Sequence, residues 1–130
     1  MDIHQILAET PSLIARKAEE AENLRAEWKN AINVYEHQES LYVLKLKLQQ
    51  EVKATEIKYY VNSDGELFSS RKNLVLLEAN YRKKDAEIKG LEEELNSAKM
   101  QCRHQIAEMS NLGFNAGKQK EAENGMGRRV

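Results

Sequence analysis

Apolar residues recur every seven positions between residues 74 and 112, and this run constrains the fold more than any other feature. Ten of twelve successive seam positions hold apolar or thiol side chains, and only Lys84 and Gln105 weaken the pattern. The two series are Leu74, Tyr81, Ile88, Leu95, Cys102 and Met109, and Leu77, Lys84, Leu91, Ala98, Gln105 and Leu112. A heptad repeat of this length predicts a helix that packs along its length against another helix.

A second long helix is predicted ahead of this run. No glycine and no further proline occurs between Pro11 and Tyr60, although a break near residues 35–40 stays open. Charged residues make up 32% of the chain and aromatics 6%, which is typical of long helices.

One apolar line on this helix comprises Ile14, Ala21, Trp28, Tyr35 and Tyr42. A second line comprises Leu41, Leu44, Leu48 and Val52. Two lines exceed what one hairpin partner covers, so the surplus predicts self-association.

Capping residues set the expected helix boundaries near the start of the chain. A capping-box pattern at Asp2 predicts a short N-terminal helix at about residues 2–9. Thr10 is then suited to cap the next helix, and Pro11 to occupy its first position, where a missing N–H costs nothing. That helix is expected to continue to about residue 60.

The main reversal of the chain is predicted at residues 61–65, because Asn, Ser, Asp and Gly there favour turns. Ser69 or Ser70 is expected to cap the third helix, at about residues 70–112. Gly113 should end that helix in a left-handed conformation. The segments therefore alternate between long helices and short turn-forming stretches.

Together these patterns predict an all-α fold. It consists of a long antiparallel helical hairpin with coiled-coil-like packing, plus the short N-terminal helix, in an oligomer. Residues 1–117 form the helical domain, and residues 118–130 form a polar, disordered tail. Packing within the hairpin or between copies is assigned to Trp28, Tyr35, Tyr42, Leu74, Leu77, Tyr81, Ile88, Leu91 and Leu95.

Charge and chemistry exclude several functional classes. The 20 basic and 21 acidic residues give a net charge of -1, so polyanion binding needs a local basic surface. The lone Cys102 excludes an internal disulfide and predicts a reducing, cytoplasmic setting, and neither a secretory signal nor a membrane span is evident. Three scattered histidines and the lack of a phosphate loop or nucleophile–base arrangement predict no enzymatic activity, no metal and no cofactor.

A basic, aromatic surface is predicted around the chain reversal. Lysines neutralise phosphates and tyrosines stack on unpaired bases, which together favour single-stranded nucleic acid. The candidate residues are Lys45, Lys47, Lys53, Lys58, Tyr59, Tyr60, Arg71 and Lys72. The alternative is ordinary charge that keeps a helix surface solvated, which composition alone favours. The seven-residue spacing of Trp28, Tyr35 and Tyr42 assigns those rings to helix packing instead.

The segment from Lys53 to Phe68 resembles the central motif of the phage recombination mediators called UvsY. It carries Lys53-Ala54, then Ile57-Lys58-Tyr59-Tyr60, then Asn62-Ser63-Asp64-Gly65-Glu66 and Phe68. A long helix and a late Gly113-Phe114 follow, so the similarity covers roughly residues 25–120. The chain departs from the family where a basic pair precedes Tyr-Tyr, because Ala54 and Glu56 stand there.

The resemblance implies a phage-encoded protein that acts in a bacterial cytoplasm as a homo-oligomeric ring. It implies binding of single-stranded DNA and help in loading a RecA-type recombinase while a single-strand-binding protein is displaced. The departures place DNA binding on Lys53 and Lys58, with Lys45, Lys47, Arg71 and Lys72 as further contributors. The alternative interpretation is a coiled-coil structural or adaptor protein that does not bind nucleic acid.

Overall fold

Residues 3–128 form three helices joined by short connections. The computed structural model describes the backbone of residues 2–128 and the side chains of residues 2–112. Helix α1 spans Ile3–Leu48, α2 spans Ala54–Ser63 and α3 spans Gly65–Arg128, and the described residues include no strand. The long helices α1 and α3 pack against each other, which confirms the predicted all-α helical hairpin.

The chain divides into two compact units, and Ile14–Lys89 forms the first. The pairs of contacting residues show that its α1 and α3 segments run antiparallel. As the residue number on α1 increases, the residue number of the partner on α3 decreases. The pairs are Lys17 with Glu87, Glu20 with Lys84, Trp28 with Tyr81, Tyr35 with Arg71, and Gln38 with Ser70. The buried core of this unit contains Ala21, Leu46, Val61, Leu67 and Ile88.

The second unit combines Met1–Leu13 with Gly90–Val130. Leu95 and Ala98 are its buried apolar side chains on α3. Thr10 on α1 is also buried, with 4% of its surface exposed. Leu95 and Ala98 both belong to the seven-residue repeat of α3. The repeat therefore marks buried residues in this unit, as it does at Ile88 in the first unit.

Helix α1 continues through Pro11, so the predicted short helix at residues 2–9 is not a separate element. A proline inside a helix removes one hydrogen bond and crowds the preceding turn, at a cost of about 3 kcal/mol. Ile6, Leu7 and Leu13 are half-buried on either side of it. Their burial contributes roughly 1 kcal/mol each, which is enough to offset the proline. The sequence signal of a helix start at Thr10 is thus overridden by packing.

Helix α1 ends at Leu48, not near residue 60 as predicted. The backbone N–H of Val52 donates to the carbonyl of Leu46 at 3.0 Å, which closes a wide turn over residues 49–51. Glu51 lies in the left-handed region, with φ of 50°. Residues 49–53 are good helix formers, so local propensity does not explain the break. The break allows Val61 of α2 to be buried within the same unit.

Asp64 alone connects α2 to α3. Its backbone N–H donates to the carbonyl of Tyr60 at 3.0 Å as the last helical bond of α2, and its extended backbone, with ψ of 127°, then ends the helix. Its Oδ2 accepts the backbone N–H of Leu67 at 3.0 Å and thereby caps α3. The predicted caps Ser69 and Ser70 lie inside α3 instead, because Asp64 provides an acceptor one turn earlier.

Helix α3 also differs from its prediction at the far end. Its backbone continues past Gly113 to Arg128, whereas the sequence predicts an end at Gly113. The predicted disordered tail, residues 118–130, falls on this stretch. Its side chains and residues 129–130 lie outside the described part of the chain.

Candidate nucleic-acid interface

Helix α2 presents one face to the hairpin and the other to solvent. Val61 is 7% exposed and Ile57 is half-buried, so these side chains hold the helix in place. Tyr59 is 71% exposed and Tyr60 is 38% exposed, with their rings edge to face at a centroid distance of 5.9 Å. An exposed tyrosine face of this kind can stack on an unpaired base.

A groove of about 470 Å³ runs between α1 and α2. Three basic side chains line it, namely Lys47, Lys58 and Arg71, beside one carboxylate from Glu39. The apolar part of its wall comes from Val43, Ala54, Ile57 and Val61. Cations above an apolar floor suit a phosphodiester backbone, whose charge stays at the rim.

The structure separates two lysines that the sequence groups together. Residues two apart on a helix point to different faces, and Lys45 accordingly lines a different groove from Lys47. The groove of Lys45 also contains the carboxylates of Asp64 and Glu66. The surroundings of Lys45 are therefore less favourable to a polyanion than those of Lys47.

The remaining predicted lysines, Lys53 and Lys72, are both exposed. Lys53 immediately precedes α2 in extended backbone, and its side chain makes no capping hydrogen bond. Lys72 lies on α3 with its Nζ 5.6 Å from the ring centroid of Phe68, which is itself half exposed. A cation over an aromatic face is attracted weakly at an exposed site and stays accessible to a ligand.

Arg71 is the predicted site residue with the most internal contacts. Its Nη1 donates to the Tyr35 hydroxyl at 3.1 Å and to the carbonyl of Val61 at 3.3 Å. Its Nη2 donates to the carbonyl of Asn62 at 3.1 Å. The guanidinium thus connects all three helices. The sequence does not reveal this role, since nothing local to Arg71 marks the end of α2 as its partner.

Lys84 forms ion pairs across the hairpin, although the sequence predicts that this lysine weakens the apolar seam. Its Nζ lies 3.0 Å from Glu20 and 3.6 Å from Glu87, and Lys17 lies 3.0 Å from Glu87. A hydrogen bond from Lys84 lowers the pKa of Glu20, and one from Lys17 lowers the pKa of Glu87. The hydrogen bond to Glu20 raises the pKa of Lys84. Lys84 thus joins the helices by charge, whereas its seam neighbours Tyr81 and Ile88 join them by packing.

The residues assigned to helix packing lie along the hairpin. The rings of Trp28 and Tyr81 stack across it at 5.9 Å and 20°. Ile88 and Leu95 are buried. Half-buried side chains make up the rest of the set, namely Tyr35, Tyr42, Leu74, Leu77 and Leu91.

A line of exposed aliphatic side chains follows α1, and its members Val34 and Leu41 line grooves beside the start of α3. It comprises Val34, Leu41, Leu44 and Leu48, which are between 49% and 72% exposed, and we call it the outer stripe. Leu46, two residues from Leu44 and Leu48, is 1% exposed. Helix α1 therefore carries apolar side chains on more than one side, and the outer stripe is about half or more exposed among the described residues.

No family model, curated protein or solved structure matches this chain. In the part that the structure describes, no group of three or more His, Cys, Asp or Glu residues could hold a metal ion. No described helix has a stretch long and apolar enough to cross a lipid bilayer.

Proposed function

We propose that this protein binds single-stranded DNA as a homo-oligomer and acts as a recombination mediator that assists the loading of a RecA-type recombinase. One observation carries the DNA-binding part. Lys47 and Lys58 line the same groove, and the exposed ring of Tyr59 follows Lys58 directly on α2. Lysines hold phosphates, and each base stacked on an aromatic ring adds roughly 1–3 kcal/mol.

Self-association follows from the outer stripe and from the charge of the chain. A contiguous line of exposed aliphatic side chains marks a surface that another helix covers. A subunit with a net charge of -1 offers each strand only a few cations. Linking several subunits in one assembly raises the effective concentration of these weak sites along a single strand.

The role in recombinase loading rests on the resemblance of the segment from Lys53 to Phe68 to the central motif of the UvsY mediators. It is tested separately from DNA binding. The protein is added to DNA coated with a single-strand-binding protein, and the rate of recombinase filament assembly is followed. Faster assembly supports mediation, whereas DNA binding without any effect on assembly contradicts it.

DNA binding is tested by titrating a labelled oligonucleotide at low and at moderate salt, with the mass of the oligomer measured in the same buffers. We expect binding that weakens with salt, since each phosphate contact contributes about 0.7 to the slope of log affinity against log salt. The Lys47→Ala/Lys58→Ala variant should lose affinity and lower that slope by roughly 1.4 per bound subunit.

Lys45→Ala is the matched control for Lys47→Ala alone, because each removes one positive charge from the last turn of α1 and Lys45 lies on the side of Asp64 and Glu66. Its affinity should stay close to that of the unmodified protein. Equal losses in Lys45→Ala and in Lys47→Ala contradict the assignment of the groove.

The second candidate is a structural or adaptor hairpin that binds partner helices through the outer stripe. The exposure of Val34, Leu41, Leu44 and Leu48 favours it as much as it favours self-association. An oligomer that ignores oligonucleotide even at low salt would support this candidate and rule out the mediator.

A further inference from the structure

Arg71 differs from the lysines around α2 because three of its five N–H donors form hydrogen bonds inside the molecule. A guanidinium offers five N–H donors in a fixed planar fork. Three hydrogen bonds between 3.1 and 3.3 Å direct Nη1 and Nη2 to Tyr35, Val61 and Asn62. The side chain is part-buried where it meets Tyr35 and Val61. These partners take both donors of Nη1 and one of Nη2, so a phosphate that bound through Nη1 would have to displace them.

The two carbonyls that Arg71 binds belong to the last turn of α2. The final four carbonyls of a helix lack partners within the helix, and the end of the helix carries partial negative charge. Val61 and Asn62 both lie in that turn, which ends at Ser63. Arg71 therefore satisfies the free carbonyls and meets the helix dipole with a full positive charge.

Helix α2 depends on such contacts for its position. It has 10 residues, fewer than an isolated helix needs to be stable in water. Val61 is its one buried side chain. The Tyr35 hydroxyl on α1 orients the guanidinium from the other side. The fork thus holds the end of α2 against both long helices.

We propose that Arg71 is a positioning residue, which holds α2 so that Lys58 and Tyr59 meet the DNA strand together, without itself contacting a phosphate. This inference rests on the proposed function, since it concerns the same groove. It replaces the expectation from sequence that Arg71 binds DNA directly.

The test compares Arg71→Lys, Tyr35→Phe and Lys72→Ala in the full chain. Arg71→Lys keeps the charge but loses the fork, and Tyr35→Phe removes one acceptor without changing any charge. Lys72→Ala removes the neighbouring exposed charge and leaves the fork intact. Two quantities are measured, namely amide hydrogen exchange over residues 54–63 and oligonucleotide affinity as a function of salt.

A positioning role predicts exchange over residues 54–63 about fivefold faster in Tyr35→Phe, and faster still in Arg71→Lys, with the core of α1 and α3 unchanged. Both variants should bind DNA several-fold more weakly with an unaltered salt slope. Lys72→Ala should leave exchange unchanged.

A direct phosphate contact predicts the reverse, with near-normal affinity in Arg71→Lys and no effect of Tyr35→Phe. That pattern, or unchanged exchange in both variants, overturns the inference. If the unmodified protein binds no oligonucleotide, the proposed function fails. The exchange data still decide whether Arg71 holds α2.

Discussion

Replacing Leu46 with alanine is expected to be among the most destabilising single truncations in the hairpin. Leu46 is 1% exposed, and it is the large side chain most completely removed from solvent among the described residues. Leu→Ala substitutions in protein cores cost roughly 2–5 kcal/mol, depending on how far the neighbours close the cavity. The surrounding layer is only a few helices thick and can partly collapse. We therefore expect a loss near the lower part of that range, about 3 kcal/mol.

Leu44→Ala is the matched control, since it removes the same atoms two residues away from a side chain that is 52% exposed. At a protein concentration low enough to keep the subunits separate, its effect on folding should stay within about 0.5 kcal/mol. Urea unfolding followed by helical circular dichroism measures both, at two protein concentrations. The Leu46→Ala loss should not depend on concentration, whereas any effect of Leu44→Ala should, if the outer stripe joins subunits. Equal losses in the two variants would refute the assignment of the buried face.

Three further outcomes follow from single contacts. Asp64→Ala should cost about 1 kcal/mol in urea unfolding, because α3 loses its cap, whereas Asp64→Asn should cost much less. Glu51→Gly should be neutral or slightly stabilising and Glu51→Val destabilising by about 1 kcal/mol or more, because φ at this residue is 50°. Hydrogen bonds from lysines lower the pKa values of Glu20 and Glu87 in the folded chain. Their stabilising effect is therefore complete above the ordinary carboxyl range, near pH 4, and is lost as pH falls through the lowered values. Thermal unfolding of the Glu20→Gln/Glu87→Gln variant should vary less with pH below 4 than that of Glu22→Gln, a change at an exposed carboxylate on the same helix.

The sequence predicts the hairpin because its main signal is periodic and long. A seven-residue repeat averages over many positions, so a single exception such as Lys84 does not hide it. The structure even assigns Lys84 a pairing role, which depends on Glu20 some 64 positions earlier in the chain. A repeat reports which face of a helix packs, but not which ionic partner lies across it.

Helix boundaries were harder to predict because short signals compete with packing. Thr10 and Pro11 form a good helix start, yet the burial of neighbouring residues carries α1 through them. Residues 49–53 have high helix propensity, yet α1 ends before them, and this break allows Val61 to be buried. Both differences have the same origin, since tertiary burial outweighs a preference of about 1–3 kcal/mol.

The candidate site was only partly visible in the sequence. Lysines and tyrosines mark a possible interface by their chemistry alone. Their grouping depends on helix phase and on where α2 begins, which separates Lys45 from Lys47. The internal use of Arg71 depends on the placement of the end of α2 beside Tyr35, which no local pattern encodes.

Because Asp64 alone connects α2 to α3, a rotation of its backbone changes the direction of the whole of α2. Ten residues of helix span about 15 Å, so a rotation of about 20° in the backbone of Asp64 displaces the start of α2 by about 5 Å. Lys58, six residues from Asp64, would move by about 3 Å, which is the length of one hydrogen bond. Small changes at Asp64 thus become changes of whole contacts at the far end. Substitutions in this connection should therefore alter ligand geometry more than their distance from the groove indicates.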